Sequence, residues 1–132
     1  MQTVVFPFGK KKISYNFDDN ELVGVLESSI EKYRPELNQV QLIEQAIKNP
    51  VGSMPLSELA RDKKNIVIIA SDHTRPVPSK VIMPALLKEI RSVNPLADIT
   101  ILIATGCHRG TTKDELVYKF GEEIVKNEKI YI

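Results

Sequence analysis

Two runs of apolar, mostly β-branched residues constrain the fold more than anything else in the chain. They are Ile66-Val67-Ile68-Ile69-Ala70 and Ile99-Thr100-Ile101-Leu102-Ile103-Ala104. A strand wetted on one side alternates apolar with polar positions. A run without alternation is the pattern of a parallel strand covered on both faces. Parallel neighbours need a long crossover, usually a helix. Residues 79–93 supply that pattern through Val81, Ile82, Ala85, Leu86 and Ile90. Pro84 falls inside it, so the helix either starts late, with Pro84 in its first turn, or kinks there. After the second run, Thr112-Lys113-Asp114-Glu115 has the form of a capping box. A helix is expected from there to about Asn127, with Gly121 as a point of interruption. Lys129-Ile130-Tyr131-Ile132 opens a third strand. The alternation predicts an open α/β, Rossmann-like parallel sheet with helices on both faces.

Upstream, residues 3–17 predict a β-hairpin that precedes the sheet. Val4, Phe6 and Phe8 alternate before Gly9-Lys10, and Ile13, Tyr15 and Phe17 alternate after it. Such alternation predicts strands buried on one side. Residues 38–48 predict a helix, with Val40, Ile43 and Ile47 at helical spacing and Asn49-Pro50 as its stop. Pro55 to Ala60 predicts a short second helix. A strand that has just begun lacks its following loop and covering helix. Residues 1–132 are therefore expected to be a partial N-terminal α/β domain, with the remainder of the same polypeptide as a partner.

Composition narrows the function. Eighteen basic residues stand against 17 acidic ones, a net charge of +1. That balance argues against nucleic acid or an anionic membrane as partner. Aromatics are 6% and Trp is absent, so base-stacking platforms are not expected. No stretch approaches the roughly 18 apolar residues of a membrane span, and no secretory signal is expected. Cys107 is the only cysteine. It reads as a small packing residue in a reducing, cytoplasmic setting.

Ligands in open α/β sheets bind outside the carboxyl ends of the strands. Here those ends lead into Ser71 to Pro78 and Thr105 to Gly110. The two loops hold the only histidines, His73 and His108, together with Asp72, Arg75 and Arg109. Each has a structural alternative. Asp72 can cap a turn, Arg75 can be solvated, His73 can be structural, and Arg109 can pair with an acidic neighbour. Their functional readings are an anion-binding fork at Arg75 and a base at His108. Arg109 and the nearby helix start are expected to disfavour a second positive charge on His108. Neither loop ends in the Gly-Lys-Ser/Thr of a P-loop. Two histidines without Cys or Glu at ligand spacing make no zinc site.

Ser71-Asp72-His73-Thr74-Arg75-Pro76-Val77-Pro78, paired with Thr105-Gly106-Cys107-His108-Arg109, resembles the N-terminal motifs of the nickel-dependent lactate racemase family. Phe120-Gly121-Glu122-Glu123 is similar too. The resemblance implies a two-domain isomerase acting on lactate or a related small 2-hydroxy acid. It implies the cofactor nickel pyridinium-3,5-bisthiocarboxylic acid mononucleotide, with Asp72, His73, Thr74 and Arg75 matching the segment that contacts it. It makes His108 one of two catalytic histidines. Each moves the substrate hydroxyl proton while hydride leaves to a pyridinium carbon, giving pyruvate. The family's tethering lysine, histidine nickel ligand and second catalytic histidine lie beyond residue 132. The 132 residues alone are thus expected to be inactive and to assign no metal ligand. The alternative is a non-catalytic α/β module that binds a phosphorylated or carboxylate small molecule.

Overall fold

Gln2–Phe8 (β1) and Lys11–Phe17 (β2) form an antiparallel hairpin, with Val4 opposite Tyr15 and Phe6 opposite Ile13. The turn between them uses Gly9 at φ 59°, where a side chain would be strained. This computed structural model describes residues 1–132, the side chain of Glu31 excepted. It divides into two units, Met1–Pro35 and Glu36–Ile132. In the first unit the Thr3 hydroxyl lies 2.8 Å from Asn16 Oδ1, and the rings of Tyr15 and Phe17 meet edge to face at 4.8 Å. The hairpin forms as expected, but the expected one-sided burial does not. Phe8 is 68% exposed and Tyr15 60%. Alternation marks a face suited to cover, and a two-stranded ribbon cannot supply that cover itself. Ser29–Lys32 adds a 3-10 turn capped by Ser28 Oγ.

The second unit runs Gln39–Lys48 (α1), Leu56–Ala60 (α2), Asn65–Ser71 (β3), Ser79–Val93 (α3), Asp98–Ala104 (β4), Lys113–Phe120 (α4), Glu122–Asn127 (α5) and Lys129–Tyr131 (β5). The strands are parallel, in the order β3-β4-β5. Asn38 and Gln41 start α1 with a reciprocal capping box, and Thr112 and Glu115 start α4 in the same way. Because α3 begins at Ser79, Pro84 lies beyond its first turn, in the helix body. It removes the N–H that would bond the Lys80 carbonyl. Gly121, at φ 91°, separates α4 from α5.

The core lies on one side of this sheet. Met83, Leu87 and Ile90 of α3, Leu116 and Phe120 of α4, and Ile124 of α5 cluster with Ile99, Ile101 and Ile103 of β4. Ile66 and Ile68 flank that cluster, and Ala70 belongs to it. Each fully buried Ile, Leu, Met or Phe side chain of this cluster contributes about 1.5–3 kcal/mol on leaving water. The opposite face is uncovered: Val67 is 60% exposed and Ile69 71%, and Leu102 and Tyr131 are also exposed. The expectation of helices on both faces is therefore corrected to one face. The strands do carry two apolar faces, but every crossover here steps the same way across the sheet. Right-handed crossovers of that kind deliver their helices to a single side. Among the described residues, no helix is long and apolar enough to cross a membrane.

Candidate functional site

The last pair in the β3–β4 register is Ser71 with Ala104, so the loops that follow leave the sheet side by side. Asp72 closes the first loop on itself. Its Oδ1 accepts from the Thr74 backbone N–H at 3.1 Å and from the Thr74 hydroxyl at 2.7 Å, while its carbonyl accepts from the Arg75 N–H at 3.4 Å. The capping alternative for Asp72 thus describes this oxygen correctly. The other oxygen does something else. In the second loop, Gly106 at φ 58° permits a turn in which the His108 N–H donates to the Thr105 carbonyl. That turn brings His108 Nδ1 to 2.5 Å from Asp72 Oδ2.

Asp72 is buried, with 1% of its surface exposed, yet its carboxyl is held down at about 2. The Thr74 hydroxyl bond is the main cause, and burial works against it. The bond from His108 and the Thr74 backbone N–H add to the lowering. An ionised carboxylate only accepts. The proton of a neutral His108 ring therefore sits on Nδ1, and Nε2 keeps its lone pair. The His108 side chain is half-exposed, so that lone pair belongs to a ring open to ligand. The charge environment expected for His108 is corrected here. Arg109 pairs in two bonds, 2.9 and 2.6 Å, with Glu115. The charge that touches His108 is an anion. Glu115 is itself held at about 2, first by Arg109 and then by the Thr112 N–H, so the arginine and its partner brace the start of α4. Cys107 is exposed, which corrects its reading as a packing residue.

The remaining residues of the loop point to different partners. His73 Nδ1 lies 3.1 Å from the buried Thr111 hydroxyl and 3.8 Å from the Glu115 carboxylate. Arg75 is exposed, and no hydrogen bond engages its guanidinium among the described residues. Its carbonyl accepts from Lys119 Nζ at 3.0 Å. Lys119 is buried, and burial lowers its pKa while the Asp72 charge opposes that shift. Neither Thr111 nor Lys119 was identified from sequence. The signal for Lys119 was its place in α4, three residues after buried Leu116 and next to buried Phe120.

A cleft of about 780 Å³ opens beside this loop, walled by His73, Thr74 and Arg75, by Lys80 of α3, and by Tyr118 and Lys119 of α4. Three cations line it, together with Asp114 and Glu115. Asp72 and His108 are not part of its lining and connect to it through Thr74, whose hydroxyl is 3.5 Å from His108 Nδ1. Among the described residues, no group of three or more His, Cys, Asp or Glu side chains is gathered to hold a metal ion.

Comparison with known proteins adds three findings. Residues 8–132 match the family profile described as the lactate racemase N-terminal domain. The chain is 46% identical over 132 residues to a lactate racemase of Thermoanaerobacterium thermosaccharolyticum, and 50% identical over 130 residues to one of Lactiplantibacillus plantarum. It covers 100% and 98% of itself in these alignments but spans only 31% of either relative. The solved lactate racemase apoprotein of T. thermosaccharolyticum superposes with a TM-score of 0.84 at 45% identity, covering 98% of this chain and 29% of that one.

Proposed function

The chain belongs to the lactate racemase N-terminal domain family, and from that premise we propose that it forms part of an isomerase inverting lactate or a close 2-hydroxy acid. The observation that carries the reading is the 2.5 Å contact between Asp72 Oδ2 and His108 Nδ1. It joins the two strand-end loops and leaves Nε2 as a base. In this reading Nε2 takes the proton of the substrate hydroxyl. The imidazolium so formed rests against an ionised carboxylate, which stabilises it and fixes the ring's orientation, as in other histidine–aspartate pairs. In the reverse direction the same nitrogen, then protonated, gives a proton to the oxygen as the alcohol is restored.

The chain's residues fit one part of the proposed cofactor, nickel pyridinium-3,5-bisthiocarboxylic acid mononucleotide. That group is anionic, and the cleft offers the unpaired planar fork of Arg75 beside Lys80. His73, Thr74 and Arg75 would hold it, while Asp72, being buried, would act by keeping their loop in shape. When bound, the group supplies the acceptor and donor of hydride. With no gathered metal ligands among the described residues, the nickel would be held by other parts of the enzyme. Inversion also needs an acid–base group on the substrate's other face.

His108→Ala in the full-length enzyme tests the reading. Turnover from D- and from L-lactate should fall together by roughly 10²–10⁴-fold, with nickel content unchanged. Wild-type rates would refute the role. Loss of nickel along with activity would make His108 part of the cofactor's seat. The binding-module alternative predicts instead that the wild type holds anionic ligands without turning over 2-hydroxy acids.

A further inference from the structure

Position 119 breaks the apolar pattern of α4 on its buried side. Leu116 and Phe120 are buried, and residue 119, three positions after Leu116, belongs to the same face. The residue there is a lysine, and it is only 7% exposed. A buried cation is ordinarily paired. Lys119 makes no ion pair among the described residues, and burial lowers its pKa. Its hydrogen bond is to the Arg75 carbonyl, at 3.0 Å. Packing alone does not account for this choice, because a Met of similar length would fill the space without desolvating a charge.

What the bond does follows from where Arg75 stands. Upstream, the turn closed by Asp72 ends in the Arg75 N–H. Downstream, Pro76 and Pro78 have no N–H with which to anchor the chain. No other hydrogen bond ties Arg75 to another element among the described residues. Arg75 and Lys119 both line the cleft. We propose that Lys119 is a positioning residue, which holds the Arg75 backbone against α4 so that the guanidinium fork is already in place to meet an oxyanion in the cleft. A group fixed before binding loses less conformational freedom when the ligand arrives. The inference rests on the anion-holding role proposed above for Arg75, and it is independent of the chemistry proposed for His108.

The test is a double-mutant cycle in the full-length, cofactor-free enzyme, titrated calorimetrically with inorganic phosphate and, separately, with lactate. The two probes distinguish a phosphate from a carboxylate as the partner of the fork. Lys119→Met should weaken whichever anion Arg75→Ala weakens, by roughly 10-fold, the scale of one hydrogen bond. In the Arg75→Ala background the same change should alter binding by less than about twofold, because its effect runs through Arg75. The Tm of Lys119→Met should not fall, since the substitution removes a buried charge. A merely structural lysine would give a lower Tm and equal losses in both backgrounds, and that result would overturn the inference. Wild-type affinity in Lys119→Met beside weakened binding in Arg75→Ala would also overturn it, while leaving the role of Arg75 intact. If neither anion binds, or Arg75→Ala binds both as the wild type does, the anion role of Arg75 falls and this inference falls with it. Should Lys119→Met not fold, Lys119→Gln goes through the same cycle. Failure of both variants to fold would make Lys119 a structural residue and refute the positioning role.

Discussion

The hairpin unit and the sheet unit carry apolar patterns of similar strength and reach opposite degrees of burial. Phe6, Phe8, Ile13 and Tyr15 stay exposed, whereas Ile101 is fully buried, at 0% exposure. Hydrogen bonding does not separate them, because both strand sets are fully registered. The difference is a second layer. In Glu36–Ile132, α3, α4 and α5 bring Leu87, Ile90, Phe120 and Ile124 onto the strands. In Met1–Pro35 the unit contains no helix longer than the turn at Ser29–Lys32. A pattern thus specifies which face seeks cover, and only a packed neighbour turns it into stability.

The sharpest way to break this comparison is a pair of truncations. Ile101→Ala should cost about 2–5 kcal/mol in urea unfolding, as a buried large-to-small change does. Phe8→Ala should stay within about 0.5 kcal/mol. Equal costs would mean that the hairpin's pattern is buried after all. Next, Arg75→Lys in the full-length enzyme should weaken retention of the anionic cofactor by about 1.5–3 kcal/mol, the worth of a hydrogen bond to a charged group. Its unfolding midpoint should not move, because that guanidinium holds nothing in the fold. Unchanged retention would mark Arg75 as a surface residue. A smaller effect is expected at the start of α4. Thr112→Ala should lose about 1 kcal/mol, read in the same urea experiment. The last effect is read in acid and concerns the two low carboxyls, whose ordinary values are 3.8 for Asp72 and 4.5 for Glu115 and whose values in the fold are about 2. Their contribution is complete above those ordinary values and is lost as pH falls from about 4.5 towards 2. An acid titration followed by circular dichroism should therefore shift to higher pH in Asp72→Asn. A titration curve that does not shift would show that Asp72 contributes nothing of this kind.

Much of this was legible in the residues. The two apolar runs, the capping box at Thr112 and the break at Gly121 specify local geometry, and local geometry is what a sequence encodes most directly. The gathering of His73 and His108 at one edge followed from parallel strands alone. What did not follow depends on distance in the chain. Asp72 and His108 are separated by 36 positions, and no spacing rule announces that a carboxylate with one oxygen in a turn has its second on a histidine. Lys119 reaches the Arg75 carbonyl across 44 positions. The coverage of only one sheet face was equally hidden. An apolar run records that both faces are suited to burial and says nothing about which neighbour is present. The family resemblance was readable from the paired motifs, whereas the roles of Asp72, His73, Thr74, Arg75 and His108 still await the experiments above.

The double duty of Asp72 limits how this site can be redesigned. Its Oδ1 shapes the loop that walls the cleft and its Oδ2 assigns the proton address of His108. The shape of the cleft wall and the placement of the histidine's proton are therefore set together at residue 72, and Thr74, bonded to that carboxylate, inherits the constraint. An engineer who enlarges the cleft by cutting back Thr74 also retunes the histidine. The opposite wall is freer. Lys80 and Tyr118 line the same cleft, and their side chains make no hydrogen bond among the described residues. Substitutions at those two positions on α3 and α4 can alter the cleft while the Asp72–His108 contact stays as it is.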